Sequence, residues 1–370
     1  MKKLILLFIY GDYNFGGKLM LRKIIILVGI LIAVASITAC DREDKDLELT
    51  KSPAQYTATP FYTNTPITEP TPTQKISEFI LPKEGERPVA VMIDNQGEKV
   101  LPQGGLNKAQ LVYEITVEGG ETRLMPVFWG ANPTMIGPVR SSRHYFLDYV
   151  MEHDAIYVHF GWSPMAMSDI SKFKINNING VGYGGEVFWD LTKDKGNWQD
   201  SYTSMENVMN FGKKAKYKQS TDKKLLFSYN QTDEKLNTEN KADNVTVRYN
   251  SRIFNTFEFD TLNQVYKKSR NGKPHMERVS QKQLEVKNII IQHVANYGIK
   301  GDDKGRQDLK NVGSGDGWYI TCGNAIKIKW SKKSRSAQTS YTDDSGKPIV
   351  LNPGLTWIQI VPLNSKVTIE

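Results

Sequence analysis

Arg87-Pro88-Val89-Ala90-Val91-Met92-Ile93-Asp94-Asn95 is the stretch on which the reading of the fold turns. An apolar run follows a proline and ends in a polar pair suited to a turn, which predicts a buried strand over 89–93. Residues 111–117 and 123–128 read as two further strands joined through the Gly119-Gly120 turn. Phe146, Tyr149 and Val150 fall at helical spacing within 142–152, and 155–160 is again strand-like. Ser163-Pro164 opens a helix to about residue 173, with Ser as N-cap and Pro at the first position. Thr203 or Ser204 caps another through 210. Strand and helix patterns alternate, so 81–215 reads as a mixed α/β domain.

The texture then changes. Residues 216–243 are polar and read as a connection between domains. From 244 to 370, short β-type runs at 245–248, 265–268, 288–293, 318–321, 325–330 and 357–361 are separated by turns such as Asn271-Gly272 and Ser345-Gly346. This half is expected to be mainly antiparallel β. The predicted fold class is α+β.

At the other end, Met20-Leu21-Arg22-Lys23 precedes an apolar run over 24–37 and then Thr38-Ala39-Cys40. A basic start, a short apolar stretch and small residues before a cysteine make a secretory signal with a lipobox. The run is shorter than the roughly 20 residues a spanning helix needs. Residues 1–39 are therefore assigned as signal peptide, with translation starting at Met20, and Cys40 as the lipidated residue. Residues 40–80, rich in Thr and Pro, form a tether. The formal charge of the 370-residue chain is +8, but the signal region holds five Lys/Arg and one acid, so it falls to +4 without that region. Together with placement on the extracytoplasmic face of the cell membrane, this excludes nucleic acid and nucleotide cofactors as expected ligands. The five His show no zincin spacing and the two Cys no zinc pattern, so no metal and no cofactor are expected.

Several strings carry a resemblance. Besides 87–95 they are Val112-Tyr113-Glu114, Glu118-Gly119-Gly120, Ile136-Gly137-Pro138-Val139-Arg140-Ser141-Ser142-Arg143, Tyr157-Val158-His159, Gly305-Arg306-Gln307 and Asn352-Pro353-Gly354. From about residue 85 to the end the chain resembles the YerB-like bacterial lipoprotein family. The resemblance implies a two-part extracytoplasmic protein and no settled activity. Where family members often have His-Asn-Leu-Tyr-Thr, this chain has Gln199-Asp200-Ser201-Tyr202-Thr203.

The densest polar cluster comprises Glu114, Glu118, Arg123, Arg140, Ser142, Arg143, His159 and Ser163, all at strand ends or in turns. These are the candidate ligand-binding residues. Arg140 and Arg143, three apart, would share a helix face and could grip a carboxylate or phosphate. The competing reading pairs them with Glu114 or Glu118 as structural ion pairs. His159-Phe160-Gly161-Trp162-Ser163 has the order of a nucleophile elbow, but Met165 stands where that motif needs glycine, and Ser163 is accounted for as an N-cap. Glu114 and Glu118, about 13 Å apart on one strand, are too distant for glycoside hydrolysis. The glycines of 180–185 and 313–317 read as turn geometry, and Asp302-Asp303 lacks a calcium loop's ligand set. Tyr183, Trp189, Trp198 and Trp318 are candidates to stack on sugar rings. Two functions remain: a non-enzymatic binding or scaffolding lipoprotein for an anionic cell-wall polymer or an envelope protein, or a wall-modifying hydrolase or transferase using His159 with Glu114 or Glu118. The second requires a base within hydrogen-bond reach of a nucleophile or water.

Overall fold

A computed structural model describes residues 79–194 and 199–370. The signal region, Cys40, the tether to residue 78 and Trp198 lie outside the described residues. The first half supplies β1 (Val89–Val91), β2 (Ile93–Asp94), β3 (Leu111–Thr116), β4 (Thr122–Phe128), α1 (Leu147–His153) and β5 (Ile156–His159). It continues with α2 (Pro164–Lys172), β6 (Asn177–Asn179), α3 (Gly180–Val187) and α4 (Met205–Lys214). The second half adds β7 (Asn244–Arg248), β8 (Phe254–Asp260), β9 (Val265–Arg270), β10 (Lys273–Pro274), β11 (Glu285–Val286) and β12 (Asn288–Val294). β13 (Gly313–Thr321), β14 (Asn324–Lys332), β15 (Ser340–Asp343), β16 (Thr356–Pro362) and β17 (Lys366–Ile369) complete it. The fold is α+β, with a mixed first half and mostly antiparallel strands in the second.

The two halves share one 11-stranded sheet, ordered β15-β14-β13-β12-β16-β3-β4-β1-β5-β6, with β2 also on β4. Its seam is β16, which runs parallel to β12 on one side and to β3 on the other. Trp357, Ile358, Ile360 and Val361 are buried, so this strand has apolar contacts on both faces and belongs at a sheet centre. A second, six-stranded sheet orders β10-β9-β8-β7-β17, with β11 on β9. It covers one face of the large sheet, where Val112, Leu124, Ile289 and Trp357 meet Val245, Val247, Phe257 and Tyr266. α4 covers the same face near β5 and β6. On the opposite face Tyr113, Ile115 and Met125 pack with Tyr145, Tyr149 and Val150 of the α1 region and Ala166 and Ile170 of α2. No helix among the described residues is long and apolar enough to cross a membrane.

Four local expectations need correction. The polar stretch 216–243 is not merely a solvated connection: Phe227 is buried and stacks on Tyr341 at 5.5 Å, and Ser228–Tyr229 pairs with Val350–Leu351. The helix expected from residue 142 begins later, as a single 3₁₀ turn His144–Phe146 leading into α1. Residues 180–187 form α3 rather than a turn, because the Asn179 side chain accepts from the Val181 N–H and caps it. Residues 313–317 open β13 instead of making a turn. Elsewhere the patterns hold: Ser163 caps α2 by accepting from the Ala166 N–H, and Ser204 caps α4.

Candidate functional site

The string 136–143 is extended. The Val139 N–H donates to the Ser201 carbonyl, and the Arg140 N–H to that of Met92. Gly137, at φ +149°, is what lets the string lie there: a Cβ would sit 2.9 Å from the Tyr202 ring and 3.0 Å from the Ser201 carbonyl. Arg140 and Arg143 therefore share no helix face, yet both reach the same corner at the ends of β2, β4 and β5. Arg140 Nε lies 2.8 Å from Asp94 Oδ2, and Arg143 Nε 2.5 Å from Glu118 Oε1. Asp94 sits opposite Arg123 across the β2–β4 pair. Arg123 donates to the Ser141 carbonyl, and Arg143 to that of Ser142 at 2.9 Å. Three guanidinium groups thus share two carboxylates.

Burial, reinforced by the charge of Arg143, pushes Arg123 down to about 10. Arg140 is lowered too, mainly by burial, against the pull of Asp94. Burial opposes the charge of Glu118, but the hydrogen bond and charge of Arg143 outweigh it and its pKa falls. Arg123 Nε is buried and makes no hydrogen bond among the described residues, and the buried hydroxyls of Ser142 and Tyr157 have only each other. Beside them Trp162, paired with Ser142 through the backbone, keeps 39% of its surface exposed.

His159 borders this corner: its ring stacks on Tyr157 at 4.9 Å and lies 5.6 Å from that of Trp162. Its Nδ1 is 2.8 Å from the Gly161 carbonyl and its Nε2 is 3.1 Å from Asn177 Oδ1, and burial lowers its pKa. Ser163 is spent on its cap.

Glu114 departs from the expected cluster altogether. It pairs in register with Leu124, one residue out of step with Arg123, so it projects from the opposite face of the sheet. There it joins a closed ring of buried side chains between the two sheets. Lys268 Nζ donates to Asn255 Oδ1 at 2.8 Å and to His275 Nδ1 at 2.9 Å. An ammonium only donates, so His275 carries its proton on Nε2 and donates to Gln103 Oε1 at 2.7 Å. Gln103 donates to Asn95 Oδ1, Asn95 approaches Glu114 at 3.4 Å, and Asn255 donates to Glu114 Oε2 at 2.8 Å. Trp357 Nε1 and Thr122 Oγ1 complete the carboxylate's bonds. Desolvation pushes Lys268 down to about 8 and His275 well below its usual value.

The structure thus unites Glu118, Arg123, Arg140, Ser142 and Arg143, sets His159 and Ser163 at the border, and removes Glu114 to the other face. Sequence reasoning missed Asp94, Tyr157 and Trp162 in the corner, and Lys268, His275, Asn255 and Gln103 in the ring. A signal for Lys268 existed: it alternates in step with the buried Tyr266 and Arg270 of β9. Tyr183 is exposed and faces Phe211 at 4.6 Å. Cys322 is buried beside Asn352, and Asp302 binds Arg306 and the N–H of Lys304.

Comparison with known proteins follows these two halves. The family described as protein of unknown function DUF3048 matches with its N-terminal domain over residues 79–218 and its C-terminal domain over 245–358. YerB of Bacillus subtilis (strain 168), whose name classes it as a candidate lipoprotein, is 33% identical over 294 residues, covering 78% of this chain and 83% of that protein. The crystal structure of the Bacillus subtilis YerB protein superposes with a TM-score of 0.67 at 30% identity, over 77% of this chain and 94% of that one.

Proposed function

The chain belongs to the DUF3048 family, and from that premise we propose that it is a protein lipid-anchored on the extracytoplasmic face of the cell membrane that binds an anionic cell-envelope ligand at the arginine corner. The lipobox cysteine Cys40 and the lipoprotein name of the Bacillus subtilis relative support the anchor. One observation carries the ligand class: three guanidinium groups meet two carboxylates in a desolvated corner, with Arg123 Nε left without a hydrogen bond among the described residues and the Ser142 hydroxyl beside it. A carboxylate or phosphate would balance that excess charge and accept from those donors. Exposed Trp162 beside it offers a face for an attached sugar ring, as a wall polymer would present.

The test is binding of the purified full chain to isolated cell walls. Arg140→Gln and Arg143→Gln should each weaken it by about 2–5 kcal/mol, with little change in thermal unfolding for Arg143→Gln, whose partner Glu118 is partly exposed, and some loss for Arg140→Gln, whose partner Asp94 is buried. Variants that lose stability and keep wall binding would show these arginines to be purely structural.

A further inference from the structure

A cavity of about 230 Å³ opens on the side of the β3–β4 turn away from the arginine corner. Its charged lining is Arg252, Arg270 and Lys273 against Glu98 and Glu121, and its apolar lining is Leu101, Ile253 and Pro274. His275 of the buried ring also faces it. The charges are laid out in pairs. At the rim Lys273 holds Glu98 at 2.6 Å. Deeper, Arg270 stands 3.7 Å from Glu121 Oε2, beyond hydrogen-bond length. Arg270 is only 5% exposed and donates to the Asn95 carbonyl at 2.7 Å, but its Nε makes no hydrogen bond among the described residues, nor does Glu121 Oε2. A buried donor and a buried acceptor, side by side and both unsatisfied, are an expensive arrangement for the protein to keep for itself.

We infer that this cavity holds a group of amino-acid size that carries a carboxylate and an N–H donor, the carboxylate on Arg270 and the donor on Glu121, with a small aliphatic side chain against Leu101, Ile253 and Pro274. The choice follows from exclusion by charge and size. A simple anion would satisfy Arg270 and leave Glu121 Oε2 without a donor, and a simple cation would do the reverse. A sugar finds no aromatic face among the lining residues. The volume lies below the roughly 300 Å³ at which pockets for drug-sized ligands begin, so one residue fits and a longer chain must protrude. Arg252, which donates to the Gly119 carbonyl at 2.7 Å from an exposed position, guards the mouth.

A free amino acid and the terminal residue of a peptide share this chemistry, so the experiment carries both. Calorimetry on the purified full chain compares alanine, alanyl-alanine, acetate and methylammonium at tens of millimolar. Saturable binding of alanine or alanyl-alanine is expected, with acetate and methylammonium weaker by at least about tenfold. Tighter alanine assigns the free amino acid, and tighter alanyl-alanine the peptide terminus. Glu121→Gln should weaken that binding by about tenfold. So should Arg252→Glu, an exposed change that leaves the ring and Arg270 untouched. The inference is overturned if neither zwitterion saturates, if acetate binds as well as alanine, or if both variants bind like the parent.

Discussion

Between pH 8 and 10 the buried Lys268 should add to the stability of this protein. The side chain is fully buried, and desolvation dominates its titration, with Arg270 acting in the same sense and Glu114, 4.0 Å away, opposing them. The native lysine loses its proton near 8, whereas an unfolded lysine holds it to about 10.4. Between those values the unfolded state binds more protons, so unfolding free energy rises with pH. The whole interval is on the order of 3 kcal/mol, of which about 2 is reached by pH 10. The buried tyrosines act the other way within the same range: Tyr113, Tyr249 and Tyr266, among others, resist ionisation in the fold while unfolded tyrosines ionise at about 10, so each subtracts about 0.4 kcal/mol at pH 10. The assay is urea unfolding followed by tryptophan fluorescence at pH 8, 9 and 10. Lys268→Met alone would strand the Glu114 carboxylate, so the control is Glu114→Gln with Lys268→Met, which removes both buried charges. With only the tyrosines left to titrate, its stability should fall from pH 8 to 10 by about 2 kcal/mol more than that of wild type. A double variant whose stability follows the same pH course as wild type would refute the reasoning.

Other expectations are more direct. Cys40→Ser should leave the precursor unprocessed or release the protein from the membrane fraction, and normal processing with membrane retention would contradict the lipid anchor. Desolvation of the buried His153 pushes it down to about 4, so the native ring stays neutral while the unfolded one protonates below 6.5. Its contribution is therefore intact above pH 6.5 and lost as the pH falls toward 4, on the order of 3 kcal/mol. Asp148, raised to about 6 chiefly by burial, acts in the opposite sense over part of that range. The informative measurement is thus the difference between acid unfolding of wild type and of His153→Gln, which should show the shallower loss.

What could be read from the sequence followed the range of its signals. Period-two and helical patterns are local, and they located β1, β3, β4, β5 and the caps of α2 and α4. Sheet order is not local. Nothing in 357–361 says that the strand will lie against 111–116, 243 residues away at the Trp357–Glu114 bond, and so join the halves into one sheet. The candidate site divided in the same way. Chain proximity grouped Arg140, Ser142 and Arg143, and their place at element ends of one half added Glu118, which does lie against Arg143. The same grouping wrongly added Glu114, because a shift of one residue along a strand reverses the face, and 114 and 123 pair with different partners. Asp94 was read as a turn former, although it is the counter-ion of Arg140.

This difference in placement decides which variants are informative about function. Glu114 accepts bonds from Trp357, Asn255 and Thr122 and sits 4.0 Å from a buried lysine. Removing one partner of such a pair costs about 3–5 kcal/mol, because the other charge stays buried and uncompensated. Domains typically hold only about 5–15 kcal/mol of stability. Loss of any activity in Glu114→Ala would therefore follow from partial unfolding as readily as from lost chemistry, and it would not assign a catalytic carboxylate. Arg140 and Arg143 each keep about a seventh of the side-chain surface exposed, and Glu118, the partner of Arg143, stays within reach of water, whereas Asp94, the partner of Arg140, is buried and would keep only Arg123 opposite it as a counter-charge. Their substitution disturbs the fold less and the charge of the corner more. A wall-binding defect in Arg143→Gln, at unchanged stability, separates a ligand site from a structural ion pair in a way that no substitution in the buried ring can.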